Sequence, residues 1–98
     1  MEMTIQSVAF DATEQLKAFV DKKVKKLERF SDDIILAEVI LKVVKPETVN
    51  NKEASVKLNI RHKEAFASKI ADTFEEAVDL CIMALEKQIQ KTKEKKDR

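Results

Sequence analysis

The 98-residue chain contains no glycine, tryptophan or tyrosine, and one proline, one cysteine and one histidine. Without glycine there is no Gly-rich loop to cradle a phosphate, and any left-handed turn falls to Asn, Asp or His. The one cysteine, Cys81, cannot form an internal disulfide, which fits a reducing cytosol. The one histidine, His62, sits in the polar stretch "RHKE" and reads as a turn residue. Cys81 has no partner for a Cys–His pair, and no His, Cys, Asp and Glu stand at metal-ligand spacing. No catalytic residue, metal site, cofactor or small-molecule substrate is therefore expected. The carboxylate pairs Asp32-Asp33 and Glu75-Glu76 read as a loop and a helix start. No apolar run approaches the ~20 residues of a membrane span, and no signal peptide opens the chain. The expectation is a cytoplasmic protein without membrane contact.

What the chain has in abundance is charge: 38% of its residues are Asp, Glu, Lys or Arg, against 44% hydrophobic, with a net charge of only +1. That balance hides a segregation. Glu14–Arg29 holds six cations and three anions, and Glu86–Arg98 holds the same. The remainder holds seven cations and twelve anions. Basic segments on an otherwise acidic body point to a polyanion bound on one face.

Ninety-eight residues make one domain, here 1–98. "EMTIQSV" alternates as a strand. "DATEQLKAFVDKKVKKLERF" places Leu16, Phe19, Val20, Val24 and Leu27 at helical spacing, about four turns capped by Asp11 or Thr13. "DIILAEVILKVVK" is β-branched and reads as a long strand ending at Lys45-Pro46, followed by the polar loop "PETVNNKE". "ASVKLNI" is a half-buried strand, and "AFASKIA" a fourth. "DTFEEAVDLCIMALEKQIQKTKEK" is a second helix, with Asp72 as cap and Glu75 completing a capping box. Its core stripe is Phe74, Ala77, Val78, Cys81, Leu85 and Ile89. Residues 91–98 hold five cations, two anions and nothing apolar, so this tail is expected to fray.

The order β-α-β-β-β-α is most economically an α+β fold: a four-stranded mixed sheet with both helices packed on one face. A strand–helix–strand start implies a right-handed crossover, so the first two strands are expected to be parallel and the rest antiparallel. At about 100° per residue, Lys23 falls just inside the buried arc of the first helix, with Lys22, Lys26 and Arg29 on the same flank. Gln88, Lys91, Lys87 and Lys95 gather on one flank of the second helix. Two neighbouring helices could bring these rows together as a basic groove. Lys23 either snorkels or reaches a phosphate. Lys25 points to open solvent.

These residues resemble the ribosome hibernation-promoting and ribosome-associated inhibitor family, also labelled sigma-54 modulation proteins. "TEQLKAFVDKKVKKLERF" is similar to the family's Thr-Glu-x-Leu-Arg-x-[Phe/Tyr]-Val-x-x-Lys-x-x-Lys-Leu-Glu pattern. "VILKVVK" resembles its second strand, and "AFASKIADTFEEAVDLCIMALEKQI" its Ala-Ser strand and following helix. The resemblance covers nearly the whole chain and implies a non-enzymatic protein of the short form, lacking a C-terminal dimerisation domain. It implies docking on small-subunit rRNA in the decoding region, where messenger and transfer RNA are blocked. Lys17, Lys23, Lys26, Arg29, Lys87 and Lys91 match family basic positions; Lys22 and Lys95 join them by helical position. Two departures stand out: Thr73-Phe74-Glu75 replaces Asp-Met-Tyr, and Ala84 replaces a mid-helix lysine.

Two other readings bear on the same residues. The element order also resembles double-stranded-RNA-binding domains, which grip phosphates with cations at the start of the last helix. Here Asp72, Glu75, Glu76 and Asp79 stand there and would repel them, which excludes that mode. The second reading is a protein-interaction module. Phe66 and Ile70 fall on the strand face opposite Ala65, Ala67 and Ala71. With Ile40 and Val44 they would form an apolar sheet face for a partner or a weak homo-oligomer.

Overall fold

The computed structural model describes residues 1–44 and 50–96, with side chains of the last helix described to Lys91. The elements are β1 (Glu2–Val8), α1 (Glu14–Lys25) continued by a 3-10 turn (Lys26–Arg29), β2 (Ile34–Val43), β3 (Lys52–Ile60), β4 (Lys63–Ala71) and α2 (Phe74–Lys96). The four strands lie in the order β1-β2-β3-β4. β1 pairs parallel with β2, and the other two pairings are antiparallel. This is the expected α+β architecture. β2 ends at Val43, before Lys45-Pro46, and residues 45–49 of the expected polar loop lie outside the described residues.

Alternation assigns the two faces of the sheet. Ala37, Val39 and Leu41 of β2, Ala54, Val56, Leu58 and Ile60 of β3, and Ala65, Ala67 and Ala71 of β4 point inward and are buried. One irregularity keeps this register: a bulge between Ile34 and Leu36 leaves Ile35 as the extra residue, 61% exposed, so that Ile34 still faces the core opposite Ile60. α2 lies over β3 and β4 with α1 beside it. Val20, Val24 and Leu27 from α1 and its 3-10 turn join Phe74, Ala77, Val78, Cys81, Ile82, Leu85 and Ile89 of α2 in a single core. Leu16 and Phe19, expected in the apolar stripe, are only half-buried at its margin.

Helix starts are decided by hydroxyls. The Leu16 N–H donates to Thr13 Oγ1 at 3.1 Å, so Thr13 rather than Asp11 caps α1. The cap of α2 differs from expectation. Thr73 Oγ1 accepts from the Glu76 N–H at 3.1 Å, while Asp72 Oδ1 accepts from the Asn50 N–H at 2.8 Å. Asp72 is drawn off to hold the loop before β3, which moves the cap one residue on and takes Glu75 out of capping-box spacing. α2 runs helical to Lys96, beyond where fraying was expected; the side chains of its last turns lie outside the described residues. At the edge of the sheet, Gln88 of α2 donates from Nε2 to the Phe66 carbonyl at 2.8 Å and accepts from the Phe66 N–H at 3.4 Å.

Among the described residues, three non-glycine residues have positive φ: Ala9 (70°), Asn50 (55°) and His62 (71°). Asn50 and His62 are residue types expected for left-handed turns, and His62 lies in the two-residue β3–β4 connection. Ala9 is the exception. It turns the chain after β1 so that Phe10 stacks on Phe74, centroids 4.5 Å apart and planes at 13°. The stack gives the strained turn a reason. An alanine in the left-handed region costs about 1–2 kcal/mol, partly offset by the greater unfolded-state entropy of glycine. Ala9→Gly is expected to stabilise the fold by about 0.5–1 kcal/mol in urea denaturation; a loss of stability would show the turn to be unstrained.

Cys81 is fully buried, and its thiol donates to the Ala54 carbonyl at 3.2 Å. Burial pushes this thiol up to about 11 from 9.0. Between those pH values the unfolded chain releases the proton while the native chain keeps it, so stability falls as pH rises through that window. Below pH 9 this group contributes no pH dependence. The stability advantage of the native chain over Cys81→Ala is expected to be flat from about pH 6 to 8.5 and to shrink by roughly 2–3 kcal/mol by about pH 11. A pH-independent difference would contradict this account.

Candidate nucleic-acid interface

The cations expected to act together do not form one groove. The seam between α1 and α2 is a trough of about 250 Å³ lined by Lys23, Lys26, Asp79, Ile82, Met83 and Glu86. α1 turns cations into it, but α2 turns Asp79, Met83 and Glu86. The expected row on α2 lies elsewhere because Gln88, which begins that flank, faces the β4 edge. At about 100° per residue, Lys87 then falls near the outer crest of α2 and Lys91 on the β4 side of it, both exposed. Lys95 lies outside the described side chains. The signal for this was in the sequence: Asp79 and Glu86, seven apart, share one helical flank.

Lys23 bridges the seam. Its Nζ is 3.3 Å from Asp79 Oδ1 and 5.5 Å from the Phe19 ring centroid, with the side chain 26% exposed. It therefore joins the helices, at roughly 0.2–1 kcal/mol for a partly exposed pair. Lys17 is removed from the group by position. It lies on the opposite flank of α1 from Lys23 and pairs with Glu14 at 3.7 Å. Lys25 is exposed as expected and pairs with Asp21 at 3.1 Å.

That leaves Lys22, Lys26 and Arg29, spaced i, i+4, i+7. All three are exposed, and none forms an ion pair among the described residues. The 3-10 turn matters here. At three residues per turn, Lys26 and Arg29 eclipse one another, so the row continues straight off the end of α1. Lys87 and Lys91, at i and i+4, begin a second row on α2. The helical layer thus presents two cationic ridges about 10 Å apart, with a carboxylate-lined seam between them. Asp79 and Glu86 make the seam itself unfavourable to an anion, while the ridges are favourable to one. At the departures noted above, Glu75 is exposed and Ala84 is half-buried against the core.

Among the described residues no group of three or more His, Cys, Asp or Glu could hold a metal ion, and no helix is long and apolar enough to cross a membrane. The profile of the family described as sigma 54 modulation protein / S30EA ribosomal protein matches residues 3–97. A "Ribosome hibernation promoting factor" of Azotobacter vinelandii is 31% identical over 100 residues, covering 97% of this chain and 85% of that protein. The fold is shared with a ribosomal subunit interface protein from Coxiella burnetii, at TM-score 0.85 and 22% identity, covering 95% of this chain and 98% of that one. It is shared also with the N-terminal domain of Protein Y from Thermus thermophilus, at TM-score 0.82 and 18% identity over 94% of this chain and 99% of that one. With the profile spanning almost every residue and a curated relative above 30% identity, the chain belongs to the sigma 54 modulation / S30EA ribosomal protein family.

Proposed function

We propose that this protein binds the small ribosomal subunit by laying its two cationic ridges on rRNA phosphates in the decoding region. There it excludes messenger and transfer RNA and silences the idle ribosome. It acts in the cytoplasm by occupancy; no bond is made or broken. The observation that carries the reading is the straight row of Lys22, Lys26 and Arg29, none of them in an ion pair among the described residues, whereas Lys17, Lys23 and Lys25 are all paired. Family membership supplies the ribosome as the polyanion. Lys87, Lys91 and Lys95 extend the contact from α2. Lys17 and Lys23 are secondary, and Lys23 would have to leave Asp79 to reach a phosphate.

Co-sedimentation of the purified protein with small subunits tests this. Lys22→Glu, Lys26→Glu and Arg29→Glu together should weaken binding by on the order of 100-fold and reduce the salt slope by about three. Lys25→Glu with Lys63→Glu should leave binding within about threefold, since neither lies on a ridge. Equal losses in the two variants would show that charge acts diffusely. A native protein that stays in the supernatant while poly-uridine translation proceeds undiminished would overturn the function itself. A chain ending at Gln90 should keep its thermal stability while its binding weakens and its salt slope falls. An unchanged affinity and slope would remove the tail from the interface.

A further inference from the structure

The open face of the sheet carries no cationic ridge, and the proposed rRNA contact leaves it unused. Register places its outward residues in rows across the strands. The middle row is Gln6, Ile40, Ser55 and Ser68. The row on one side contains Glu38, Lys57 and Phe66; the row on the other contains Lys42, Glu53 and Ile70. Ile40, Phe66 and Ile70 are 41%, 55% and 49% exposed, and a shallow depression of about 170 Å³ runs beside Ile40 and Phe66.

This pattern is complementary to itself. Take a twofold axis lying in the sheet plane, across the strands, through the middle row. It sets a second copy face to face with the first, each strand over its own equivalent and the two flanking rows exchanged. Ile40 then meets the partner's Ile40, and Phe66 meets the partner's Ile70. Glu38 faces the partner's Lys42, and Lys57 faces the partner's Glu53. Every apolar side chain in these rows of β2 and β4 finds an apolar one, and every charge finds its opposite. A twofold contact needs just such a patch. The axis along the strands also matches the charges, Glu38 with the partner's Lys57 and Lys42 with the partner's Glu53, but it places Ile40 over the partner's Ser55 and Phe66 over the partner's Thr4, so it is the apolar pairing that favours the first axis.

We infer that the open sheet face is a self-association surface that pairs two copies of this chain across this twofold axis. Strands about 4.8 Å apart and about seven residues long at ~3.3 Å per residue give a face on the order of 20 by 25 Å. Two such faces bury roughly 1,000 Å² in total, the size of a weak, transient contact rather than an obligate dimer. The inference does not rest on the ribosome, because the ridges lie on the other side of the molecule and the test contains no ribosomes.

Sedimentation equilibrium of the full chain tests it. The average mass should rise from 11.2 kDa toward twice that value as concentration increases from about 5 to about 500 µM, the range for an interface of this size. Ile40→Lys, at an exposed position, should remove the rise. Glu38→Lys alone should remove it, by facing two lysines across the axis, and Lys42→Glu alone should do the same with two carboxylates. Mixing those two non-associating variants should restore the heavier species, because each charge again meets its opposite. Circular dichroism melting of each variant checks that the monomer is folded. A mass fixed at 11.2 kDa throughout overturns the inference. So does association that survives Ile40→Lys, or a mixture of the two charge variants that stays monomeric while both remain folded.

Discussion

The structure depends on one apolar layer between two helices and a single sheet face. The inward rows of β3 and β4 are rich in alanine: Ala54, Ala65, Ala67 and Ala71. Their small side chains admit α2 closely enough for the Cys81 thiol to reach the Ala54 carbonyl at 3.2 Å, and Phe74, Leu85 and Ile89 of α2 join the same buried cluster. Large against small is how a core reaches native density without voids. Burying this layer is also what turns everything else outward. Once one face of the sheet is covered, the other has only solvent or a partner, and the helices have one crest each to present.

The two outer surfaces are consequently different in kind. On the helical side, charge is partly separated by sign: cations that form no ion pair among the described residues stand on the outer rows, and the carboxylates Asp79 and Glu86 lie in the seam, where Lys23 pairs with Asp79. On the sheet side, signs alternate between cross-strand neighbours such as Glu38 and Lys57, register partners on β2 and β3. A separated pattern has a far field and attracts a polyanion from a distance. An alternating one cancels within a few ångströms and acts only at contact. A net charge near zero thus does not contradict a surface able to draw in nucleic acid; it reports the sum and conceals the arrangement.

The fold was legible because its determinants are local and periodic. Alternation in "ASVKLNI" and 3.6-residue spacing through Leu85 and Ile89 need no knowledge of neighbours. The candidate interface was less legible because it depends on how one helix is rotated against the other. The wheel placed Lys87 and Lys91 on a common flank but could not say whether that flank faced α1 or the sheet edge. The contact that settles it, Gln88 with the Phe66 backbone, joins residues 22 apart. The cap of α2 was misplaced for the same reason: the competitor for Asp72 was Asn50, equally distant in sequence. Ala9 was missed because its left-handed turn serves an aromatic stack between Phe10 and Phe74, residues far apart in sequence.

The bond from Gln88 to Phe66 reaches further than rotation. Its side-chain amide gives and receives as a peptide group does, and it occupies the place where the peptide of a fifth strand would pair with β4. An exposed sheet edge is a template for indefinite growth only if both ends of the sheet are available. Here one end is already satisfied at its midpoint by the molecule's own helix. Strand-by-strand extension could start only at β1, and a second copy joined there would find no free β4 to continue from. A single neutral side chain thereby blocks strand addition at the midpoint of β4, while the open face of the sheet stays accessible.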